Sequence, residues 1–584
     1  MLPSMKQVAL LCALAGVVLA APEYPVPSSA ESNDVFDGYV SYSIEFASFP
    51  DFAGNKTHPN TFSDVLLDNL GQLQGHKPYI RVGGNTQDYA LYNQSLPYAL
   101  HGTIDPSRAV DYPTTVIIGP SYFESYDTWN DVKFSHGFNL GLGGNRSSGW
   151  QALLDTVPLA CKALGNGKLY VWEYGNEPDL FSTSAQGPVR PANWSEATYV
   201  SQWHNGTRQI KALVQEHCPE TLESGNYGYM APSFAGVNNH LKEAAAWAAG
   251  LDGDQDIKLF STHNYISGAT SPGVTLQGTL MNHAVTKRSV DAHITEYNKI
   301  LSQSSAPVPP LIFGETNSLY NQGRPGLSNT FGAALWGVDF NLYSASVGFK
   351  RVHMHMGTNF RYVAWQPIET DKATLGTKAP YYGSIAVAAA LGSRPATVRE
   401  IPLSTQTSGA ELQPEAAYAI YTEIIEMSAN LNSPDGTVLS RLMILNLRPY
   451  NTTVDGAGLT PLPSPPPRGA VEYAFRLEGV APGAAIPVRR LAANGSDAIT
   501  GITWDGWSYN HELDGGRPVR LPNVTDTSET ERVVVGKGGV VTVTVEDSSA
   551  ALLEIGDAKT GKGKGKGKSK GKGKGEGEAR RMRR

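Results

Sequence analysis

Lys168-Leu-Tyr-Val-Trp-Glu-Tyr-Gly-Asn-Glu-Pro-Asp-Leu-Phe181 is the stretch from which the fold of this chain is read. Leu169 to Tyr174 is aromatic and β-branched, and it follows a helix-like segment that closes at Gly165–Gly167, so it reads as a strand. Gly175 and Pro178 cannot continue a buried ladder. The strand therefore ends at Asn176-Glu177-Pro178, with a carboxylate on a rigid turn. In a (β/α)8 barrel the C-terminal ends of the strands form the mouth, where catalytic groups sit.

A second carboxylate arrives in the same setting. Val308-Pro-Pro-Leu-Ile-Phe-Gly-Glu315-Thr-Asn is another short apolar run, broken by Gly and finished by Glu. Alternation along a strand would put Leu311, Phe313 and Glu315 on one face. Cleavage of a glycosidic bond needs such a pair, one acid for the leaving oxygen and one carboxylate to attack the sugar or activate water. Either glutamate alone also fits a surface or ion-paired role. Two of them, each at a strand end, point to catalysis.

Tyr174-Gly-Asn-Glu-Pro and Ile312-Phe-Gly-Glu-Thr-Asn resemble the clan of retaining glycosidases with catalytic Glu on strands 4 and 7. Tyr42-Ser-Ile-Glu-Phe, Ile80-Arg-Val-Gly-Gly-Asn-Thr-Gln-Asp, His263-Asn-Tyr and Gly314-Glu-Thr-Asn-Ser-Leu-Tyr resemble glycoside hydrolase family 79. That family holds fungal and bacterial β-glucuronidases and the heparanases. The resemblance runs from about Tyr24 to Ile555. It implies an α/β fold, a (β/α)8 TIM barrel followed by an all-β sandwich. It also implies a retaining exo-β-glucuronidase with Glu177 as acid/base and Glu315 as nucleophile. The substrate would be a glucuronide-bearing oligo- or polysaccharide, such as proteoglycan or plant arabinogalactan side chains, with terminal glucuronic acid or its 4-O-methyl ether. No cofactor is expected.

Supporting roles follow from the residues beside those motifs. Arg81, at the end of the second strand, would keep one carboxylate ionised by lowering its pKa. Asn176 precedes the acid, and Tyr265 can hydrogen-bond the nucleophile and hold its rotamer. By resemblance Glu45 and Asn85 contact the sugar. Tyr320, with backbone amides of a loop whose first glycine is Gly323, would take the sugar carboxylate without a buried cation. Tyr362 closes the last mouth loop. Glu173 is expected one layer deeper, hydrogen-bonded inside the barrel, and Glu296 to be solvated. His353 and His355 share a face, but no third ligand matches their spacing, so no metal is expected.

The remainder of the 584 residues frames this core. Composition is 41% hydrophobic and 17% charged with 61 Gly and 38 Pro, which excludes a disordered chain and marks a turn-rich globular one. Lys6 and the apolar run Val8–Ala20 read as a secretory signal peptide over 1–21, too short for a membrane anchor. No other stretch suits a bilayer, so a secreted, extracellular, monomeric protein is expected. Residues 22–36 are an N-terminal segment packing on the β domain, 37–393 the barrel and 394–556 the sandwich. Residues 557–584 are a basic Gly/Lys tail without aromatics, expected to be disordered and not a nucleic-acid module. Cys161 and Cys218 either form a disulfide or remain two buried thiols. Sequons stand at Asn55, Asn93, Asn145, Asn193, Asn205, Asn451, Asn494 and Asn523. Two other functions stay open: an endo-acting, heparanase-like glucuronidase, and a carbohydrate-binding protein on an inactive barrel. The first would need basic clusters at the mouth, and the second the loss of a glutamate; the sequence has neither.

Overall fold

Eight parallel strands pair in chain order and close into a barrel: β1 (Val40–Glu45), β2 (Ile80–Gly83), β3 (Phe134–Phe138), β4 (Leu169–Tyr174), β5 (Tyr229–Phe234), β6 (Ile257–Gly268), β7 (Leu311–Tyr320) and β8 (Val352–Met356). The computed structural model describes residues 22–27, 34–184, 187–223, 225, 227–403, 411–423, 437–524 and 529–558. The signal-peptide segment and the basic tail from 559 onward lie outside the described residues.

Outer helices cover the strands, so both faces of each strand are buried and no simple alternation is visible. Tyr42, Ile44, Phe134, Phe138, Trp172 and Phe313 point into the apolar layer between strands and helices. The lumen is layered. Val171, Met230, Leu259 and Ile312 plug its lower part. Above them come polar side chains, Ser43, Arg81, Glu173 and Ser233, joined by hydrogen bonds. The helices that matter below are α1 (Thr61–Gln74), α2 (Ser147–Ala163), α3 (Glu196–His217), α4 (Glu243–Ala248), α5 (His283–Gln303), α6 (Phe331–Val347) and α7 (Ala379–Leu391).

One strand departs from expectation. β7 does not stop at Glu315 but runs on to Tyr320. Its register against β6 shifts between Thr262/Phe313 and His263/Glu315, leaving Gly314 as an extra residue. That bulge reverses the alternation: Leu311 and Phe313 lie in the outer core, whereas Glu315 enters the lumen. The three do not share a face. Gly314 is required there, since a Cβ would stand 2.2 Å from Ser261 Oγ. Glu296 is also corrected. It is buried on α5, accepts the Ala244 N–H at the start of α4 and pairs with Lys299.

Past α7 the chain forms a two-layered β domain. A nine-stranded sheet faces a three-stranded one in which the N-terminal strand Glu23–Val26 runs parallel to Ala470–Leu477. Val540–Glu546 alternates buried and exposed, with Val541, Val543 and Val545 packing against Ala417, Ala419, Leu442 and Leu553. Cys161 on α2 and Cys218 after α3 are disulfide-bonded with Cα atoms 6.1 Å apart. The sequon asparagines lie at the surface, Asn93, Asn145, Asn193, Asn205, Asn494 and Asn523 exposed, Asn55 and Asn451 half-buried. Among the described residues no helix is long and apolar enough to cross a membrane.

Candidate active site

Arg81 is the centre from which the mouth is built. Fully buried, it reaches Glu173 through Nε at 2.9 Å and Nη2 at 2.7 Å, and donates through Nη2 to Asn176 Oδ1 at 2.8 Å. Its Nη1 donates to Ser43 Oγ at 3.0 Å and to Glu315 Oε2 at 2.5 Å. The sequence around it leaves room for this. A Cβ on Gly83 would stand 2.4 Å from Arg81 Nε, and one on Gly84, whose φ is +108°, would meet the Glu45 carboxylate at 2.8 Å.

Glu315 is 5% exposed. Its second oxygen accepts from Tyr265 Oη at 2.7 Å, and His355 Nδ1 lies 3.6 Å from the first. Burial opposes its ionisation, but His355, the Arg81 guanidinium and the Tyr265 hydrogen bond outweigh that and hold the carboxyl well below the usual range. The Arg81 ion pair persists at every working pH.

Glu177 has the opposite balance. Its backbone is left-handed, φ 51° and ψ 48°, in front of Pro178, a conformation that costs about 1–3 kcal/mol and persists where surroundings enforce it. The enforcement is visible: its N–H donates to Ser233 O at 3.0 Å, and Trp194 Nε1 donates to Pro178 O at 2.9 Å. Burial, and then the negative charge of Glu315, push Glu177 up to about 8. His263 Nδ1 lies 3.1 Å from Glu177 Oε1, and burial lowers that imidazole to about 4, so it is neutral. A neutral Nδ1 can accept from protonated Glu177, or donate to it as the other tautomer. One atom each from Glu177, His263 and Glu315 lie within 4.8 Å of one another. The Arg81 guanidinium already supplies the cation against Glu315 there.

The remaining sequence-predicted residues divide. Asn176 joins the cluster through Arg81 and Asn85, and Tyr362, 3% exposed, packs its ring 6.1 Å from that of Tyr265. Asn85 is half-buried at the rim, linked to Tyr112. Glu45 is spent in part: its Oε1 accepts from Thr86 Oγ1, Thr86 N and Phe46 N, leaving Oε2, 3.6 Å from His355 Nε2, toward the mouth. Glu173 sits one layer down, accepting from Arg81 and Ser233 Oγ. Tyr320 is not brought to the cluster. It is 46% exposed with its hydroxyl 3.3 Å from Ser271 Oγ, because an odd offset from Glu315 puts it on the other face of β7. Gly323 is corrected too, since its amide donates to Leu319 O at 3.1 Å. Asn321 and Gln322 nonetheless adopt the left-handed φ expected of glycines there, 62° and 61°. The two histidines of β8 part company: His353 Nδ1 bonds Phe313 O, whereas His355 Nδ1 bonds Ser43 Oγ beside Glu315.

Sequence reasoning gave no role in the site to His263, Asp88 or Tyr112, and weighed His355 only as a metal ligand. Asp88 lies in the quoted Ile80–Asp88 motif. It accepts from Leu140 N and Gly141 N at 2.8 and 2.9 Å and from Asn176 N at 2.7 Å, which fixes the peptide ahead of Glu177. His263 was in the His-Asn-Tyr motif, where only the tyrosine drew a role. Tyr112 carried no signal.

Comparison with known proteins gives the same direction. Residues 417–552 match the model of the glycosyl hydrolase family 79 C-terminal beta domain. A beta-glucuronidase of Neurospora crassa is 63% identical over 577 residues, covering 94% of this chain and 100% of that protein. A beta-glucuronidase of Aspergillus niger is 52% identical over 526 residues, covering 89% and 91%. Among solved structures, a 4-O-alpha-L-rhamnosyl-beta-D-glucuronidase from Fusarium oxysporum superposes with a TM-score of 0.68 at 23% identity, over 91% of this chain and 100% of that one.

Proposed function

The chain belongs to glycoside hydrolase family 79 and hydrolyses β-glucuronides, and from that premise we propose a secreted exo-enzyme that releases terminal β-linked glucuronic acid with retention. One observation carries the mechanism. One oxygen of Glu177 lies within 4.8 Å of one oxygen of Glu315, a close approach in keeping with retaining enzymes, whose carboxyl groups stand ~5–5.5 Å apart against ~6.5–9.5 Å in inverting ones. Glu315, ionised against Arg81, attacks C1 while Glu177 passes its proton to the departing oxygen. The resulting ester is then opened by water, whose proton returns to Glu177.

Preference for glucuronide over glucoside is supported by the loop after β7. The N–H groups of Asn321 and Gln322 meet no backbone acceptor among the described residues, and a sugar carboxylate would supply one. The neighbouring solved glucuronidase acts on a 4-O-rhamnosylated glucuronide; here an unsubstituted terminal residue is the proposed substrate. Secretion rests on the Lys6 and Val8–Ala20 leader, with the disulfide and surface sequons in keeping with it.

The first sugar product followed by proton NMR is expected as the β anomer; initial release of the α anomer would overturn retention. Because Glu177 must hold its proton, kcat/KM is expected to persist at acid pH and fall as pH rises through about 8. Tyr265→Phe removes a hydrogen bond to a charged group, about 1.5–3 kcal/mol. It is therefore expected to lower kcat/KM by about ten- to a hundredfold; a change below twofold would remove Tyr265 from the machinery.

A further inference from the structure

The turn that carries the acid, Glu177-Pro178-Asp179, is gripped from the neighbouring strand. Glu177 N–H donates to Ser233 O near the end of β5. Two residues on, the grip is returned: Ala235 N–H donates to both oxygens of Asp179, at 3.0 and 3.1 Å. Asn239 Nδ2, in the loop between β5 and α4, donates to Asp179 Oδ2 at 2.8 Å. The circuit closes on the far side of the turn. His240 Nε2 lies 2.7 Å from Trp194 O, and Trp194 Nε1 donates to Pro178 O at 2.9 Å. Asp179 is the one carboxylate in this ring of bonds, and it is fully buried.

Two costs meet at this place. A buried carboxylate whose donors are amides rather than cations is expensive. The hydrogen bond it flanks joins two strained residues, since Ser233 is left-handed, φ 55°, as Glu177 is. Neither backbone favours its conformation unaided, so each needs an outside hold. Asp179 supplies one for both, being fixed to the Glu177 turn by the chain and to the Ser233 bend through Ala235. We propose that Asp179 is a positioning residue for the general acid: it locks the Ser233–Ala235 bend against the Glu177–Pro178 turn and so aims the Glu177 carboxyl at the departing oxygen. Asp179 touches no reacting group. The inference rests on the reading of Glu177 as proton donor and names what keeps that donor aimed.

The test uses two probes, phenyl β-glucuronide and 2,4-dinitrophenyl β-glucuronide. Phenol leaves readily only when Glu177 protonates its oxygen as the C1–O bond breaks, whereas dinitrophenolate departs as the anion and needs no proton. Both are read as kcat/KM, which stops at the glycosylating step. Asp179→Ala is expected to lower kcat/KM on the phenyl probe by about thirtyfold or more, because a misplaced donor loses most of its advantage. On the dinitrophenyl probe the change should stay below about threefold, since attack by Glu315 is untouched. Asp179→Asn, which keeps an acceptor for the Ala235 N–H, is expected to recover most of the loss. Asn239→Ala, at a half-buried side chain, weakens the same hold with little risk to folding and is expected to cost about three- to tenfold on the phenyl probe alone. Glu177→Gln is the control, expected to lose far more on the phenyl probe than on the other. If it loses equally on both, the reading of Glu177 as proton donor fails, and the proposal with it. If the control holds, an equal loss on both probes in Asp179→Ala and Asn239→Ala overturns the proposal and leaves Asp179 a support of the fold. Unchanged rates on both probes overturn it as well.

Discussion

Glu315→Gln is expected to lower kcat on an aryl β-glucuronide by about 10⁴-fold or more, because the amide cannot form the glycosyl ester. The fold should survive the change. Arg81 keeps Glu173 at 2.7 Å as its counter-charge, so the substitution turns one guanidinium shared by two carboxylates into a balanced pair. No uncompensated charge is left in the lumen, the situation that makes broken buried pairs expensive. The variant should also release Glu177, whose carboxyl stands high partly because Glu315 is negative. Its titration should move down toward the usual carboxylate range, measurable by carbon NMR of labelled glutamate. Activity within tenfold of wild type would remove Glu315 as nucleophile. A full loss of activity accompanied by unfolding would instead make the residue structural.

His283→Ala is expected to cost about 3–5 kcal/mol of stability, through loss of a buried ion network that ties barrel to β domain. His283 begins α5 with its side chain fully buried. Its Nδ1 lies 2.9 Å from Asp339 Oδ1 on α6 and its Nε2 3.0 Å from Glu400 Oε1 of the β domain. Tyr418 Oη, also from that domain, donates to the same Asp339 oxygen at 2.6 Å, and Lys287 reaches Glu400 at 2.6 Å. Burial disfavours the imidazolium, but Asp339 and Glu400 overcome it and raise the group to about 9. A raised cation stabilises the folded state fully below its ordinary value near 6.5 and loses that contribution as pH rises through about 9. The thermal midpoint of the wild type should therefore decline across that window, and the alanine variant should show a lower and flatter curve. Equal pH dependence in the two proteins would sink this account.

Much of the architecture was legible from local signals. The apolar run punctuated by Gly175 and Pro178 gave the strand Leu169–Tyr174 with the bounds observed. Errors gathered where the deciding partner is remote in the chain. Gly314 looks like a strand terminator because glycine usually is one. It acts instead as a bulge, because Ser261 on the adjoining strand leaves no room for a Cβ. Tyr320 was expected at the sugar carboxylate, but strand parity turned it outward. The small sheet of Ala90–Tyr92, Leu100–Thr103 and Thr115–Ile118 between β2 and β3 was invisible: its strands are three or four residues long, and Leu100–Thr103 is mostly exposed. Nothing in such segments rises above a loop.

Two glutamates at barrel strand positions, with Arg81, Asn176 and Tyr265 in attendance, were determined by the sequence itself, since residue types and strand punctuation are local properties. Why Glu177, which resemblance had named as the acid, holds its proton is explained only by the tertiary structure. As residues Glu177 and Glu315 are chemically identical. They diverge because folding places an arginine 234 positions away at 2.5 Å from one of them and leaves the other desolvated beside the negative charge this creates.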